Sequence, residues 1–300
     1  MVDQTKSVNS PSDSISYHSE TYWTGLHRQY TGSLKAVGWP SLSEAFNGAK
    51  YRSETESFLS ALQLFSAPTM PARILEIGIG IGFWTAIMIQ NLDRNGVRLT
   101  GLDISAEALD VVRARFPLLE LEQTDVGTLD PNRFLHQFDL VTALMVLLHL
   151  TMASEFDNAL RFAARSVRPG GTLVLYEPVI TDPYSPWLYR ELNLVHSSVA
   201  RELNAYDEPL AEEGLKRIGM MSGVSWVLNA PIEAPTTRAF RVRQMMWRIL
   251  CQTVYRSERV TAWVSPFASW LDARLKRGFR GGSGKFLVYR RFATGPSNHL

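Results

Sequence analysis

The chain has 300 residues, 45% of them hydrophobic and 20% charged, with a formal net charge of +2. That length suits one large α/β domain with additions, or two small domains, and it is enough to bury a substantial core. No apolar run is long enough to span a bilayer, and the single cysteine, Cys251, excludes an internal disulfide framework and a cysteine-based zinc site. Cys251 itself reads as core filler on a helix.

Residues 1–16 are rich in Ser, Asp and Asn and lack the basic-then-apolar pattern of a signal peptide. They are expected to form a disordered tail, and a cytoplasmic location is the default. Residues 17–71 read as an N-terminal helical cap. It has helical pieces at Tyr22–Tyr30 and Ser53–Leu64, joined by turns around Gly38-Trp39-Pro40 and Asn47-Gly48. Its rings, among them Tyr22, Trp23, His27 and Tyr51, suit a lid over the domain behind it.

From residue 72 strands and helices alternate. Strands are expected at Arg73–Ile77, Arg98–Leu102, Leu119–Gln123, Phe138–Ala143 and Thr172–Tyr176, with helices at Gly82–Leu92, Ala106–Arg115 and Ala153–Val167. Such βα units imply an α/β fold whose parallel sheet is covered by helices on both faces. After Glu177 the rhythm changes. Helices are expected at Trp187–Leu203 and Leu210–Ile218, and a strand at Val224–Leu228. Two more helices, Arg238–Tyr255 and Pro266–Lys276 (Ser265 as cap), precede a closing strand at Lys285–Arg290. The domain plan is therefore α/β over 72–231, a helical insertion over 232–283, and a closing strand over 284–293.

The charge is unevenly placed. Residues 236–291 hold 13 Lys/Arg against 2 acids, a local +11 that leaves −9 on the rest. Three readings of the insertion stay open. It is a subdomain packed on the sheet edge with a solvated basic face, a lid or homodimer interface, or a basic, Trp-rich surface for peripheral membrane contact or RNA.

The stretch that organises the chain is Ile74–Thr85. An apolar run ends at Glu76, glycines follow at 78, 80 and 82, and a helical pattern begins at Phe83. A strand, a glycine loop and a helix in that order usually bind a nucleotide. The dinucleotide fingerprint Gly-x-Gly-x-x-Gly would place its third glycine at position 83, which is Phe83. The pattern Glu-x-Gly-x-Gly-x-Gly resembles instead motif I of the class I S-adenosylmethionine (SAM) dependent methyltransferases, of the bacterial small-molecule type. Later stretches resemble the family's other motifs in order: Asp103, Asp125-Val126, Phe138–Val141 with Val146–Leu150, and Arg168-Pro169-Gly170-Gly171-Thr172-Leu173.

The resemblance implies a Rossmann-like, seven-stranded, mostly parallel sheet with helices on both faces. It implies S-adenosyl-L-methionine as cofactor and S-adenosyl-L-homocysteine as product. Glu76, Gly78, Gly80 and Gly82 become cofactor-binding candidates, with Asp103 and Ile104 at the ribose and Asp125 and Val126 at the adenine. Leu144 and Tyr51 are further candidates. A carboxylate suits a vicinal diol because it offers two acceptor oxygens. SAM carries no phosphate, and no Lys or Arg stands in the glycine loop.

Candidates for a catalytic base are His149, Glu177 and His27. Candidates for substrate contact are Tyr22, Trp23, Tyr184, Trp187 and Trp247, and no metal is expected. An Asn/Asp-Pro-Pro-Tyr motif and a Pro-Cys nucleophile are both missing, which argues against a nucleic-acid substrate. The expected reaction is methyl transfer to a small, ring-containing or lipophilic metabolite, with oxygen as acceptor. The alternatives are an RNA or protein methyltransferase that uses the basic insertion, and a SAM-binding partner protein without catalysis.

Overall fold

Alternation along β1 (Ala72–Ile77) sends Ala72 and Ile74 to one face of a sheet and Leu75 and Ile77 to the other. The structure is a computed structural model describing residues 17–65, 72–92, 96–181, 197–278 and 282–292. The disordered tail expected over 1–16 and the candidates Tyr184 and Trp187 lie outside these residues. The strands after β1 are β2 (Val97–Asp103), β3 (Glu120–Gln123), β4 (Phe138–Leu144), β5 (Val167–Glu177), β6 (Val179–Ile180), β7 (Arg201–Glu202), β8 (Leu215–Val224) and β9 (Gly284–Arg291). Seven of them form one sheet in the order β3-β2-β1-β4-β5-β9-β8, while β6 and β7 pair separately. β9 runs antiparallel to both β5 and β8, and the other pairs are parallel. The expected Rossmann-like, mostly parallel seven-stranded sheet is observed.

The helices are α1 (Ser19–Gln29), α2 (Glu44–Leu62), α3 (Phe83–Leu92), α4 (Ala106–Arg115), α5 (Ala153–Ser166), α6 (Asn204–Glu212), α7 (Thr237–Thr253) and α8 (Glu258–Gly278). On one face of the sheet α5 and α6 bury Phe156, Leu160, Tyr206 and Leu210. On the other, α2, α3 and α4 bury Phe58, Trp84, Met88 and Leu109. The chain leaves β1 toward β2 on one side and reaches β4 on the other. That reversal opens a crevice at the carboxyl ends of the strands, where open α/β sheets bind ligands.

Several boundaries differ from the sequence reading, each for a tertiary reason. The Asn47-Gly48 turn is absent, and α2 runs straight through it. Ser43 Oγ accepts from Phe46 N, the Glu258 carboxylate accepts from Glu44 N and Ala45 N, and Asn47 bonds Trp39 N and Ser43 O. These contacts extend the helix upstream over a glycine that propensity disfavours. The helix expected at Leu210–Ile218 is α6, which ends at Glu212, and the strand expected at Val224–Leu228 is β8, which ends at Val224. Gly214 at φ +78° stops the helix, and pairing with β9 draws residues 215–224 into the sheet.

The described part of the helix expected at Trp187–Leu203 is not helical; its Arg201–Glu202 pairs with β6. Pro266 does not begin a helix but sits inside α8. A proline leaves the carbonyl four residues back without its N–H, and here Ser265 Oγ donates to that carbonyl, Ala262 O, at 3.1 Å.

The insertion leaves the sheet after β8 and packs back on α2. Asp272 accepts from Ser53 Oγ and from Ser225 N, and Lys276 Nζ donates to Ser53 O at 2.7 Å. Trp247, Phe46, Tyr255 and Leu228 form a third buried cluster beneath α7. Among the described residues no helix is long and apolar enough to cross a membrane.

Candidate active site

The glycine loop between β1 and α3 is pinned to the end of β2. Gly78 N and Ile79 N both donate to Leu102 O, at 2.8 and 2.9 Å, and Gly80 N donates to Asp103 Oδ2 at 2.8 Å. Gly78, Gly80 and Gly82 have φ of +70°, +54° and +71°. At two of them space is also decisive: a Cβ on Gly78 would overlap the Val146 side chain, and one on Gly80 would come within 2.9 Å of Val37. The backbone thereby forms a bare cradle at the floor of an open cleft.

Of the cofactor candidates, Gly78, Gly80, Tyr51, Asp103, Ile104, Asp125, Val126 and Leu144 line this cleft. Asp103 Oδ1 accepts from Ser105 N at 3.0 Å, and its other oxygen holds Gly80 N. Each carboxylate oxygen keeps a second lone pair for a ligand hydroxyl. Burial pushes the Asp103 carboxyl up; the N–H groups of Ser105 and Gly80 and nearby His27 pull it back. Asp125 Oδ1 accepts from Gly127 N at 2.8 Å, which sets the turn that presents Val126. Tyr51 donates its hydroxyl to Val37 O at 2.9 Å and meets Phe83 edge-on at 4.7 Å.

Glu76 and Gly82 do not line the cleft. Glu76 lies behind the loop, where it accepts from Thr85 Oγ1 at 2.5 Å and its Oε1 has no partner among the described residues. Burial pushes its carboxyl up to about 8.

The three base candidates part company. Glu177 is fully buried and does not face the cleft. Its carboxylate accepts from the backbone N–H groups of Val146, Leu147 and Leu148 at 3.1, 2.8 and 3.0 Å. The sequence reading made it a candidate base; instead it holds the turn after β4. Burial pushes it up to about 8, against the pull of those N–H groups. Arg201 clamps the same turn from the other side by donating to Leu147 O and Leu150 O.

The braced turn carries His149 into the cleft. Its Nδ1 lies 2.6 Å from Ser197 O. A carbonyl only accepts, so Nδ1 bears the proton and Nε2 keeps its lone pair. Burial pushes His149 down to about 4, so the ring is neutral at physiological pH.

His27 also lines the cleft. Burial lowers it, while Asp103 and Glu107 oppose that shift, so it stands beside the expected ribose carboxylate.

Ser19, Trp23 and His27 recur every fourth residue along α1 and close the cleft from above. Trp23 meets the His149 ring edge-on at 4.7 Å, and Tyr22 meets Trp23 at 5.2 Å from outside the cleft. Trp247 is not a cleft residue. It is buried between Trp39, Phe46 and Tyr255 in the third core cluster, where its ring packs on Phe46 of α2.

The sequence reading missed Val37, Phe83, Trp84, Thr124 and Met145, all lining the cleft. Phe83 and Trp84 open the helix after the glycine loop, which was a usable signal. Met145 held none: its φ of +60°, rare for a side chain of that size, appears only in the fold.

The cleft fits SAM on its own terms. Its lining holds two carboxylates and no Lys or Arg. That suits a ligand bearing an ammonium and a sulfonium and offers no side-chain cation to a pyrophosphate.

Residues 74–171 match the family model described as a methyltransferase domain. Over 108 residues the chain is 33% identical to trans-aconitate 2-methyltransferase of Methylobacterium nodulans, covering 36% of this chain and 39% of that one. Over 106 residues it is 34% identical to ubiquinone biosynthesis O-methyltransferase of Erwinia tasmaniensis, covering 33% and 39%. A solved chain from Galdieria sulphuraria, described as a sarcosine dimethylglycine methyltransferase, aligns at TM-score 0.51 and 13% identity. That alignment covers 79% of this chain and 85% of the other, and at such identity it speaks for the fold alone. The chain spans no more than about two fifths of the length of the curated relatives it matches.

Proposed function

We propose that this chain, whose residues 74–171 belong to the class I SAM-dependent methyltransferases, methylates a hydroxyl oxygen of a small, ring-containing or lipophilic metabolite. The observation that carries the reading is His149. It is a neutral imidazole with its proton held at Nδ1 by Ser197 O, in an aromatic-walled cleft opposite two carboxylates. The O-methyltransferase name of one relative supports the choice of acceptor.

Gly78, Gly80, Asp103, Ile104, Asp125, Val126, Leu144 and Tyr51 are the residues that would hold the cofactor. SAM, when bound, supplies a methyl group on a sulfonium sulfur that leaves without acid assistance. The protein's own work is to exclude water, hold an acceptor in line and take up its proton. Trp23, Phe83 and Trp84 supply apolar walls. Nε2 of His149 accepts the hydroxyl proton as the oxygen becomes an ether, and the ring then carries the charge. Glu177 and Arg201 are positioning residues: they act through the turn that bears His149.

The test is transfer of label from methyl-labelled SAM into a source-cell extract, fractionated into small molecules, lipids, RNA and protein. Label in the first two fractions, lost with His149→Ala, is the expected result. Label in RNA or protein transfers the function to the +11 segment. SAM binding with no turnover in any fraction leaves a binding protein.

A further inference from the structure

The insertion helix α8 is amphipathic in the wrong sense for its own core. Thr261, Ser265, Ala268 and Asp272, spaced three and four apart, face inward and are buried. The opposite stripe carries Val260, Trp263, Phe267 and Trp270, and three of these are among the most exposed rings of the chain: Trp263 85%, Phe267 65% and Trp270 49%. A water-facing helix normally places its large apolar side chains on the other side. Scattered exposed apolar residues need no explanation, but a contiguous aromatic row does. The rings are also ordered: Phe267 and Trp270 stack at 5.6 Å, and the Arg274 guanidinium lies 4.2 Å from the Trp270 ring. On α7, Val242, Met245, Met246 and Ile249 form a second exposed stripe.

The charge on these helices is one-signed. Arg238, Arg241, Arg248, Arg256, Arg259 and Arg274 are exposed. None of the six forms an ion pair in the described structure. Residues 237–278 contain two acids, and both are engaged toward α2. Glu258 accepts from Glu44 N and Ala45 N, and Asp272 accepts from Ser53 and Ser225. The outward face is therefore aromatic and cationic, with no carboxylate turned outward to balance it.

We propose that the outer face of α7–α8 docks the protein on an anionic lipid bilayer. A second copy of the chain is a poor occupant, because a twofold interface sets this patch against itself and opposes arginine to arginine. An anionic surface matches the charge, and a row of Trp and Phe on one side of a helix about 30 Å long suits burial at the headgroup–acyl boundary. Arginines beside the rings stay in the headgroup layer, where each gains from lipid charge. The surface is separate from the cleft, so docking does not depend on which acceptor the enzyme methylates.

The test is co-sedimentation of the full chain with vesicles of phosphatidylcholine alone and with added phosphatidylglycerol. Binding is expected to the anionic vesicles only, and to weaken with salt. The variant Trp263→Ala/Phe267→Ala/Trp270→Ala should lower that partition roughly tenfold or more, with the thermal midpoint and SAM affinity unchanged. Arg259→Glu/Arg274→Glu should act in the same direction. Equal binding to neutral vesicles, or unchanged binding by the aromatic variant, overturns the proposal. So does a concentration-dependent dimer that the aromatic variant abolishes, or salt-sensitive binding of RNA in place of vesicles.

Discussion

The glycine-loop half of the sheet and the α7–α8 insertion use their side chains in opposite ways. Around β1 and β4 the large apolar residues are buried, and the exposed chemistry is a few polar groups aimed into one cleft. On α8 the small and polar residues are buried, and the large rings face outward. Burial is driven by apolar area, so a helix that hides Thr261 and Asp272 while showing Trp263 is not arranged for this chain's core. The contrast separates residues whose environment lies inside the fold from residues whose environment lies outside it.

Two tryptophans of the insertion sharpen that contrast most strongly. Trp247→Ala removes a buried ring from the cluster with Phe46 and Tyr255 and should cost about 3–5 kcal/mol of stability. Trp263→Ala should change stability by less than about 0.5 kcal/mol, because its ring is 85% exposed. Chemical denaturation of both variants reads the difference, and equal effects would erase it.

In the cleft, Gly80→Val forces a β-branched residue to φ +54° and drives it against Val37. A cost of about 2–4 kcal/mol, falling on the cradle itself, should reduce SAM affinity by two orders of magnitude or more in calorimetric titration. Asp103→Ala removes the acceptor for Gly80 N and Ser105 N and should weaken SAM binding roughly tenfold or more. Unchanged affinity in both variants would overturn the site assignment.

The pH dependence is a finer test. His149, pushed down to about 4, is unprotonated above that value, so a base at this position keeps the acid limb of kcat near pH 4. An ordinary histidine would bring that limb up to about 6.5. The unfolded ring binds a proton below about 6.5 while the folded ring resists it, so this group's contribution falls as pH drops from about 6.5 toward 4 and rises on return. A kcat limb at 6.5 that His149→Ala leaves unmoved would remove His149 from catalysis.

What the local order of residues determined was the βα rhythm, the glycine loop and the acids that end β2 and β3. Each is set by short-range pattern: strand alternation, glycines held at positive φ, and a side chain at a strand's end. Asp103 and Asp125 were legible for that reason, and His149 through the resemblance of Val146–Leu150 to a family motif. Tertiary structure alone decided which polar groups face the cleft. Glu177 and His149 lie near each other in the turn region, yet one is consumed by three backbone N–H groups and the other is presented. It also decided the extent of α2, whose first turn is held by the Glu258 carboxylate of α8, 214 positions downstream from Glu44, and the run of α8 through Pro266. Trp247 and Trp263 are chemically alike and sit on neighbouring helices. Only packing against α2 makes one a core residue and the other a surface ring, because burial is a property of what lies opposite a side chain and not of the side chain itself.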